Sequence, residues 1–264
     1  MHFTLPPLLS KEWEALWKSN YLMRWIYISP HLDDAIFSAG GLIYEQTQTS
    51  VPVEIWTIMS GFPNDAELTK FAKSLHKRWG TSSAEETIRI RRAEDERAAD
   101  IVGAKTRHFN FLDCMYRRGP NGEALYNNSF AQLHTTEMDL PKQIANAISK
   151  HLQPEDILVC QLALGGHLDH IVVRKAAKLL ERSLFYSADF PYLLNTKPQK
   201  LWWKTIGLKE FDQSISETGL LSWLEAARAY ASQIGVTFKT TELMQEKLTA
   251  YWMKRKGIRI WKTR

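Results

Sequence analysis

The stretch RWIYISPHLDDAIFSAGG (residues 24–41) places a compact group of ionisable side chains between two apolar segments. The aromatic and β-branched residues of its first part predict a buried strand that ends at Pro30. The small and apolar residues that follow predict a helix from about Asp34 to Gln46. Between them, the imidazole of His31 and the adjacent carboxylates of Asp33 and Asp34 resist burial, and the two carboxylates repel each other. Packing alone does not explain such a group at a strand-to-helix turn.

Predicted strands alternate with predicted helices of ten or more residues through most of the chain. The further strands are VEIWTIMS (53–60), TRHFNFL (106–112), DILVCQLA (156–163) and LFYSADFPYLL (184–194). This alternation predicts an α/β fold of the Rossmann-like, doubly wound type. We expect a mainly parallel sheet with the strand order 3-2-1-4-5 and helices on both faces.

The last part of the chain does not continue this alternation cleanly. Residues 216–234 and 241–256 each read as a helix, so we predict that residues 196–264 form a helical extension on the same core. The whole chain, residues 1–264, is then a single domain with a core of about residues 20–195. A further short helix is predicted around Lys11 to Lys18.

Composition and charge indicate an ordinary globular protein. The chain has 44% apolar and 24% charged residues, and its net charge is +5. Much of the excess lies in the last segment, KRKGIRIWKTR (254–264), which we interpret as a solvated basic end and not as a nucleic-acid-binding arm. Ten tryptophans are unusual; core filling is their commonest role, but Trp202 and Trp203 are candidates for a cleft or a subunit contact. Homo-oligomerisation is left open.

Cysteine usage and hydropathy place the protein in the cytoplasm. Cys114 and Cys160 belong to no ligand pair and are predicted to be reduced, buried thiols. The first residues carry prolines and charges where a signal peptide has a clean apolar run. No window approaches the ~20 apolar residues of a membrane-spanning helix, so we expect no membrane span.

Two polar clusters follow two predicted strands. His31-Leu32-Asp33-Asp34 follows the first strand, and His167-Leu168-Asp169-His170 follows the fourth. Ligands of open parallel sheets bind outside the carboxyl ends of the strands, where the strand order reverses. With the order 3-2-1-4-5, the first and fourth strands are neighbours at this point, so we expect the two clusters to face each other.

Two imidazoles with one carboxylate are a common ligand set for catalytic zinc. The same residue types suit Fe²⁺ or another divalent metal, so they leave the identity of the ion open. A further carboxylate beside the ion can serve a hydrolase as general base. Each cluster alone is ordinary, because Asp and His often cap helices; together at adjacent strand ends they favour a metal site.

Five segments, in order, resemble the PIG-L or LmbE-like N-acetylglucosaminyl deacetylase family. SPHLDDAIFSAGG (29–41) is similar to the family's (A/S)HPDDE signature, and GGHLDH (165–170) to its HxDH signature. Three further matches are RRAEDERAADIVGA (91–104), FLDCMYR (111–117) and ARAYASQI (227–234). The resemblance spans residues 24–235 and is far more specific than either short signature alone.

The resemblance implies a metal-dependent, mostly zinc-dependent, N-deacetylase whose substrate is an N-acetylglucosamine-containing small molecule or glycoconjugate. By matching position, it implies that the metal ligands are His31, Asp34 and His170, and that Asp33 is the general base. It also implies that His167 stabilises the oxyanion and that Asp169 orients a histidine. Arg91 and Asp113 are implied to contact sugar hydroxyls.

The sequence departs from the family pattern at three places. Leu32 replaces the usual proline, Ala35 replaces the usual glutamate, and residues 60–63 (Ser-Gly-Phe-Pro) replace a Gly-Glu pair associated with sugar recognition. Two alternatives therefore remain. The first is an amidase for another N-acyl amide, with Trp56, Phe62 and the Trp-rich C-terminal segment shaping an apolar pocket. The second is a non-catalytic sugar-binding relative.

Overall fold

The computed structural model describes residues 23–63 and 68–263, so the helix predicted around Lys11 to Lys18 lies outside the described residues. The described residues form one seven-stranded sheet in the order β3-β2-β1-β4-β5-β7-β6. Its strands are β1 (Trp25–Ser29), β2 (Val53–Thr57), β3 (Lys105–His108), β4 (Ile157–Gln161), β5 (Leu184–Ser187), β6 (Lys209–Ser214) and β7 (Gly257–Lys262). The first five are parallel in the order 3-2-1-4-5, which confirms the predicted fold class.

Helices cover both faces of the sheet. They are α1 (Asp34–Gln48), α2 (Lys70–Trp79), α3 (Ala84–Ile101), α4 (Leu140–Ser149), α5 (Leu168–Lys178), α6 (Pro198–Thr205), α7 (Glu217–Arg228), α8 (Ala231–Thr237) and α9 (Thr241–Met253). Within β1, Trp25 and Tyr27 join one apolar cluster while Ile26 and Ile28 join a second, because alternate side chains of a strand point to opposite faces. In the parts of the chain that the structure describes, no helix has the length and apolar character that crossing a membrane requires.

The C-terminal extension contains two strands, β6 and β7, as well as helices. Its strand β7 pairs antiparallel with both β5 and β6 and so enlarges the sheet. The interpretation of residues 254–264 as a solvated basic end is wrong, since Ile258, Ile260 and Trp261 are buried. The basic side chain of Arg259 between them pairs with Glu210 at 2.6 Å. β7 lies inside the sheet, and both of its faces carry apolar side chains: Ile258 and Ile260 join the first apolar cluster, and Trp261 joins the second.

The helix predicted over residues 216–234 is divided into α7 and α8. Tyr230 leaves the helical conformation, with φ −83° and ψ 55°, and turns its side chain inward. There its hydroxyl donates a hydrogen bond of 2.6 Å to Asp95 in α3. Because Tyr230 and Asp95 are both buried, this contact fixes the position of α8 against α3.

Hydrogen bonds of the connecting turns join the ends of β1 and β4. The Ser29 hydroxyl donates to the His31 carbonyl at 2.7 Å and accepts from the Ala35 amide at 3.1 Å, which shapes the turn into α1. From the end of β4, the Gln161 side chain donates to the Asp34 carbonyl at 3.0 Å. The start of α1 is thereby tied to the neighbouring strand, and the polar groups after both strands are brought to one edge of the sheet.

Candidate active site

The two polar clusters meet at the carboxyl ends of β1 and β4. The ring centroids of His31 and His167 are 4.7 Å apart, those of His167 and His170 are 5.1 Å apart, and those of His31 and His170 are 5.2 Å apart. One metal-binding atom from each of the three rings lies within 4.8 Å of the others. The juxtaposition expected from the strand order is therefore present.

Asp34 lies between two of these imidazoles. Its Oδ2 is 3.1 Å from Nδ1 of His31 and 3.2 Å from Nε2 of His170. Burial raises the pKa of Asp34, but the charges and hydrogen bonds of His170 and His31 outweigh it, so the pKa lies well below its usual value. Asp34 is consequently ionised, and three potential metal-binding atoms converge at its carboxylate.

Two buried carboxylates contact the opposite sides of these imidazoles. Oδ1 of Asp189 is 2.9 Å from Nδ1 of His170, and Oδ2 of Asp169 is 3.2 Å from Nε2 of His31. Asp169 is itself held by the Arg117 guanidinium at 2.6 Å and by the Cys114 amide at 2.9 Å. An ionised carboxylate can only accept hydrogen bonds, so each places a proton of its imidazole on the nitrogen that it faces. Burial lowers the pKa of both rings, but the surrounding carboxylates outweigh it and raise the pKa of His31 well above its usual value and that of His170 to about 9. Nδ1 of His31 and Nε2 of His170, which face Asp34, are therefore the nitrogens whose protons a metal ion would displace.

His167 has a different environment from the other two imidazoles. Its Nδ1 accepts a hydrogen bond from the Asp169 amide at 3.2 Å, so a neutral ring carries its proton on Nε2. Burial and the nearby rings of His31 and His170 lower its pKa well below the usual value. The Asp169 carboxylate contacts His31, Arg117 and Cys114 and forms no hydrogen bond with the His167 ring among the described residues. His167 is thus a neutral ring with one hydrogen to donate.

Asp33 lines the cleft without contacting the imidazoles of the cluster. Burial, followed by the charge of Asp34, raises its pKa to about 7, while the charge of Arg91 opposes this rise. Nη2 of Arg91 is 3.6 Å from Oδ2 of Asp33. Two adjacent carboxyl groups therefore differ sharply in proton affinity: Asp34 is ionised, and Asp33 gains or loses a proton near neutral pH.

The cluster opens into a cavity of about 380 Å³. Arg91 and Asp113, expected to contact a substrate, both line it. The Arg91 guanidinium lies over the Trp79 ring at 5.1 Å, and its buried Nε has no hydrogen-bond partner among the described residues. One oxygen of Asp113 accepts from the Met115 amide at 3.1 Å, and the other is 3.6 Å from Nε2 of His31. The remaining lining includes five aromatic side chains: Phe37, Trp79, Phe130, Phe190 and Tyr192.

The aromatic residues proposed for an apolar pocket lie elsewhere. Trp56, in β2, is fully buried in the second apolar cluster. The Phe62 ring packs against the Arg92 guanidinium at 4.7 Å. Trp202 and Trp203 are exposed on α6 and do not line the cavity. That part of the amidase alternative is wrong, because none of these residues lines the cavity.

Several site residues were not anticipated from the sequence. Asp189 follows β5, as the recognised clusters follow β1 and β4, so the rule of strand ends could have found it. Arg117 and Gln233 lie in the family-like segments FLDCMYR and ARAYASQI, so the resemblance could have pointed to them. Gln233 reaches the cavity because Glu94 accepts hydrogen bonds from the Ser232 amide at 2.8 Å and the Ser232 hydroxyl at 2.6 Å, which brings α8 to α3.

Comparisons with known proteins agree with this architecture. The profile of the GlcNAc-PI de-N-acetylase family, PIG-L, matches residues 26–180. The zinc-inhibited form of teicoplanin deacetylase Orf2 is 23% identical, with a TM-score of 0.78 over 90% of this chain and 97% of that one. The A40926 pseudoaglycone deacetylase Dbv21 is 25% identical, with a TM-score of 0.73 over 90% and 95%.

The same architecture also occurs with another reaction. GalB, the 4-carboxy-2-hydroxymuconate hydratase from Pseudomonas putida KT2440, is 15% identical, with a TM-score of 0.55 over 92% of this chain and 95% of that one. The fold alone therefore does not decide the chemistry. A comparison with curated protein sequences finds no match. The profile, however, covers more than half of the chain, and it confirms the resemblance drawn from the five sequence segments. The chain belongs to the GlcNAc-PI de-N-acetylase family, PIG-L, a family of amide-hydrolysing deacetylases.

Proposed function

We propose that this protein is a divalent-metal-dependent N-deacetylase that hydrolyses the acetamide of an N-acetylglucosamine unit in a small molecule or glycoconjugate. The observation that carries the proposal is the pair of adjacent acids with opposite properties. Asp34 lies between Nδ1 of His31 and Nε2 of His170, while Asp33 lines the cavity with a pKa of about 7. One carboxylate is suited to hold a metal ion and the other to move a proton.

The donor set fits a divalent metal. Nδ1 of His31, Oδ2 of Asp34 and Nε2 of His170 are the ligand atoms that we assign, because Asp169 and Asp189 accept hydrogen bonds on the other side of the two rings. His167 is placed outside the set, because its Nδ1 already accepts a hydrogen bond and its proton resides on Nε2. Zinc suits two imidazoles and a carboxylate, and Fe²⁺ or another divalent ion suits them too. The ion supplies Lewis acidity that polarises an amide carbonyl and makes a water molecule more acidic.

The protein's own residues carry the proton transfers. Asp33 accepts a proton from the attacking water and later returns it to the departing amine, so acetate and a free amino sugar are the products. Nε2 of His167 donates its hydrogen to the oxyanion that forms at the carbonyl carbon. This donation needs only a neutral ring, which agrees with the lowered pKa of His167. Asp169 acts on His31, whose orientation it fixes.

The substrate is proposed from the cavity and the family together. The unpartnered Nε of Arg91 and the carboxylate of Asp113 supply a hydrogen-bond donor and acceptor for sugar hydroxyls. Residues 60–63 lie at the family's Gly-Glu position, but the Ser60 hydroxyl donates to the backbone carbonyl of Phe109 at 2.7 Å. This protein therefore recognises the sugar ring without that pair.

A second candidate activity is hydrolysis of a different N-acyl amide. The aromatic lining of the cavity, with Trp79, Phe130 and Phe190 among it, favours an acyl or aglycone group larger than acetyl. A non-catalytic sugar-binding role is the weaker alternative, because it gives no reason for an acid with a pKa of about 7 beside the candidate metal ligands.

Metal reconstitution combined with a substrate panel tests the proposal. The chelated protein is reloaded with Zn²⁺, Fe²⁺, Co²⁺ or Mn²⁺ and assayed for acetate release from N-acetylglucosamine derivatives. N-acyl glucosamines with longer chains and non-sugar amides complete the panel. Because one relative has been crystallised in a zinc-inhibited form, zinc is tested both stoichiometrically and in excess. We expect metal-dependent release of acetate. Hydrolysis of only the other amides would favour the amidase, and no hydrolysis with any metal would refute the proposed reaction.

The proposed enzyme is assigned to the cytoplasm. Cys114 and Cys160 are both buried and free, which is the state of thiols in a reducing compartment.

A further inference from the structure

An exposed face of α6 is not used by the proposed reaction. Three apolar side chains lie there within five residues: Trp202 is 55% exposed, Trp203 is 67% exposed and Ile206 is 57% exposed. The two indole rings touch edge to face, with centroids 4.7 Å apart. Large apolar side chains that are exposed singly need no explanation, but adjacent ones of this size indicate an interaction surface. We call Lys197, Lys200, Trp202, Trp203 and Ile206 the Trp–Lys face.

The helix that carries this face is firmly attached to the protein. Leu201 and Leu208 pack against the second apolar cluster on the inner side of α6. Arg174 in α5 donates to the Lys204 carbonyl at 3.2 Å and to the Leu162 carbonyl at 2.7 Å, which holds the end of α6 against β4. The inner side is thus satisfied, and the exposure of the two tryptophans is a property of the folded helix.

The charges on this segment have one sign. Between Lys197 and Leu208 the sequence contains three lysines and neither Asp nor Glu. Lys204 is half-buried, and its pKa is lowered by burial and by the nearby charges of Arg174, Lys200 and Lys178, which shows that α5 adds cations to the same region. The face therefore combines large amphipathic rings with a positive surround.

We infer that the Trp–Lys face docks the protein on an anionic lipid surface. Indole rings favour the boundary between lipid headgroups and acyl chains, and lysines beside them are attracted to lipid phosphates. A second copy of this chain fits the face poorly, because a two-fold contact would oppose lysines with lysines. With only eight residues, α6 lies on a membrane and does not cross it.

The face and the cleft are also close to each other in the sequence. Tyr192, which lines the cavity, begins the turn Tyr192–Asn195, and α6 starts three residues after that turn. A soluble enzyme held in this way is suited to a substrate presented at a membrane, but the docking itself does not depend on the proposed reaction.

Sedimentation with lipid vesicles tests the inference. The full chain is mixed with vesicles of phosphatidylcholine alone or with about one-third phosphatidylglycerol, at low and at high salt. We expect binding to the anionic vesicles only and a loss of binding as salt rises. The double variant Trp202→Ala/Trp203→Ala should bind at least about tenfold more weakly, because the rings no longer enter the interface. Lys197→Gln/Lys200→Gln should lose about fivefold per lysine.

Matched controls use residues on other surfaces. Leu221→Ala removes a side chain that is 65% exposed on α7, and Lys142→Gln/Lys150→Gln removes two exposed lysines at α4; both should bind like the wild type. Failure of the wild type to bind anionic vesicles would refute the inference, as would equal binding by the tryptophan variant. A fall in the sedimentation coefficient of that variant without lipid would show that the face joins two copies instead. Circular dichroism and thermal unfolding of each variant establish that it is folded.

Discussion

Oδ1 of Asp189 lies 2.9 Å from Nδ1 of His170, and both side chains are buried. Because the carboxylate holds a proton on Nδ1, it leaves Nε2, which faces Asp34, as the nitrogen that can bind a metal ion. We expect Asp189→Ala to weaken metal binding by about 10–100-fold. Competition between the protein and a fluorescent chelator measures this affinity.

Asp189→Asn is the matched control: His170 and the Leu164 amide contact different oxygens of the carboxylate, so the single amide oxygen keeps one of these two hydrogen bonds. It should weaken metal binding less than the alanine variant does. If Asp189→Ala binds metal as tightly as the wild type, the orientation of His170 does not depend on Asp189.

The environments of His170 and His167 predict opposite effects of removing each ring. His170→Ala removes a proposed ligand and should lower the metal content of the purified protein. His167→Ala should retain the metal and lower kcat by about 10²–10³-fold, because it removes only a donor to the oxyanion. Elemental analysis and steady-state kinetics on the same preparations separate the two effects. Loss of metal in His167→Ala would place this ring among the ligands, as the proximity of the three imidazoles also permits.

The parallel half of the fold and the meeting of the two clusters followed from local sequence patterns. Buried strands such as β1 and β4 are continuous apolar runs, and the polar residues that end them mark the carboxyl edge of the sheet. The strands β6 and β7 were not predicted, because β7 pairs with β6 and with β5, and the paired residues are far apart in the sequence. The basic residues of residues 254–264 resemble a solvated tail, whereas Ile258 and Trp261 are buried in apolar clusters on opposite faces of the sheet.

The partners of the site residues were harder to predict than the residues themselves. The contact of Asp169 with Arg117 joins positions 52 residues apart, and that of Glu94 with Ser232 joins positions 138 apart. No periodicity within a helix or strand encodes such pairs. Asp169 is an example: its sequence neighbour is His167, but the fold directs its carboxylate to His31.

Asp33→Asn tests the proposed general base. The amide is nearly isosteric but cannot accept the proton, so activity should fall by a factor of about 100 or more. The metal content should stay at the wild-type level, because the imidazoles of His31 and His170 form their hydrogen bonds with Asp34, Asp169 and Asp189 and, among the described residues, none with Asp33. Full activity in this variant would exclude Asp33 as the base. Loss of metal would make it a ligand.

Removing the charge of Arg91 should shift the pH dependence of the reaction. The base works when deprotonated, so kcat/KM should rise with pH through the pKa of Asp33, which is about 7. The charge of Arg91 lowers this pKa; in Arg91→Gln the rising limb should therefore move to higher pH, by on the order of one unit. Arg91→Lys keeps the charge and should shift the limb less. A bound cation lowers the pKa in all three proteins, so the difference between their pH profiles is the quantity to compare.

Replacing Gly61 with a larger residue should destabilise the fold, independently of any effect on catalysis. A Cβ at this position would lie 2.5 Å from the backbone carbonyl oxygen of Asn110, and the Gly61 amide donates to the Phe111 carbonyl at 2.9 Å. Because backbone atoms must move to make room, Gly61→Ala should lower the free energy of unfolding by about 1–3 kcal/mol in a denaturant titration. Gly235→Ala is the matched control: no atom lies within 4 Å of its added Cβ, and alanine in α8 should stabilise the protein by up to about 1 kcal/mol. Equal stability of the two variants would contradict this prediction, because it would mean that the segment after β2 can move away from residues 110–111 without loss of stability.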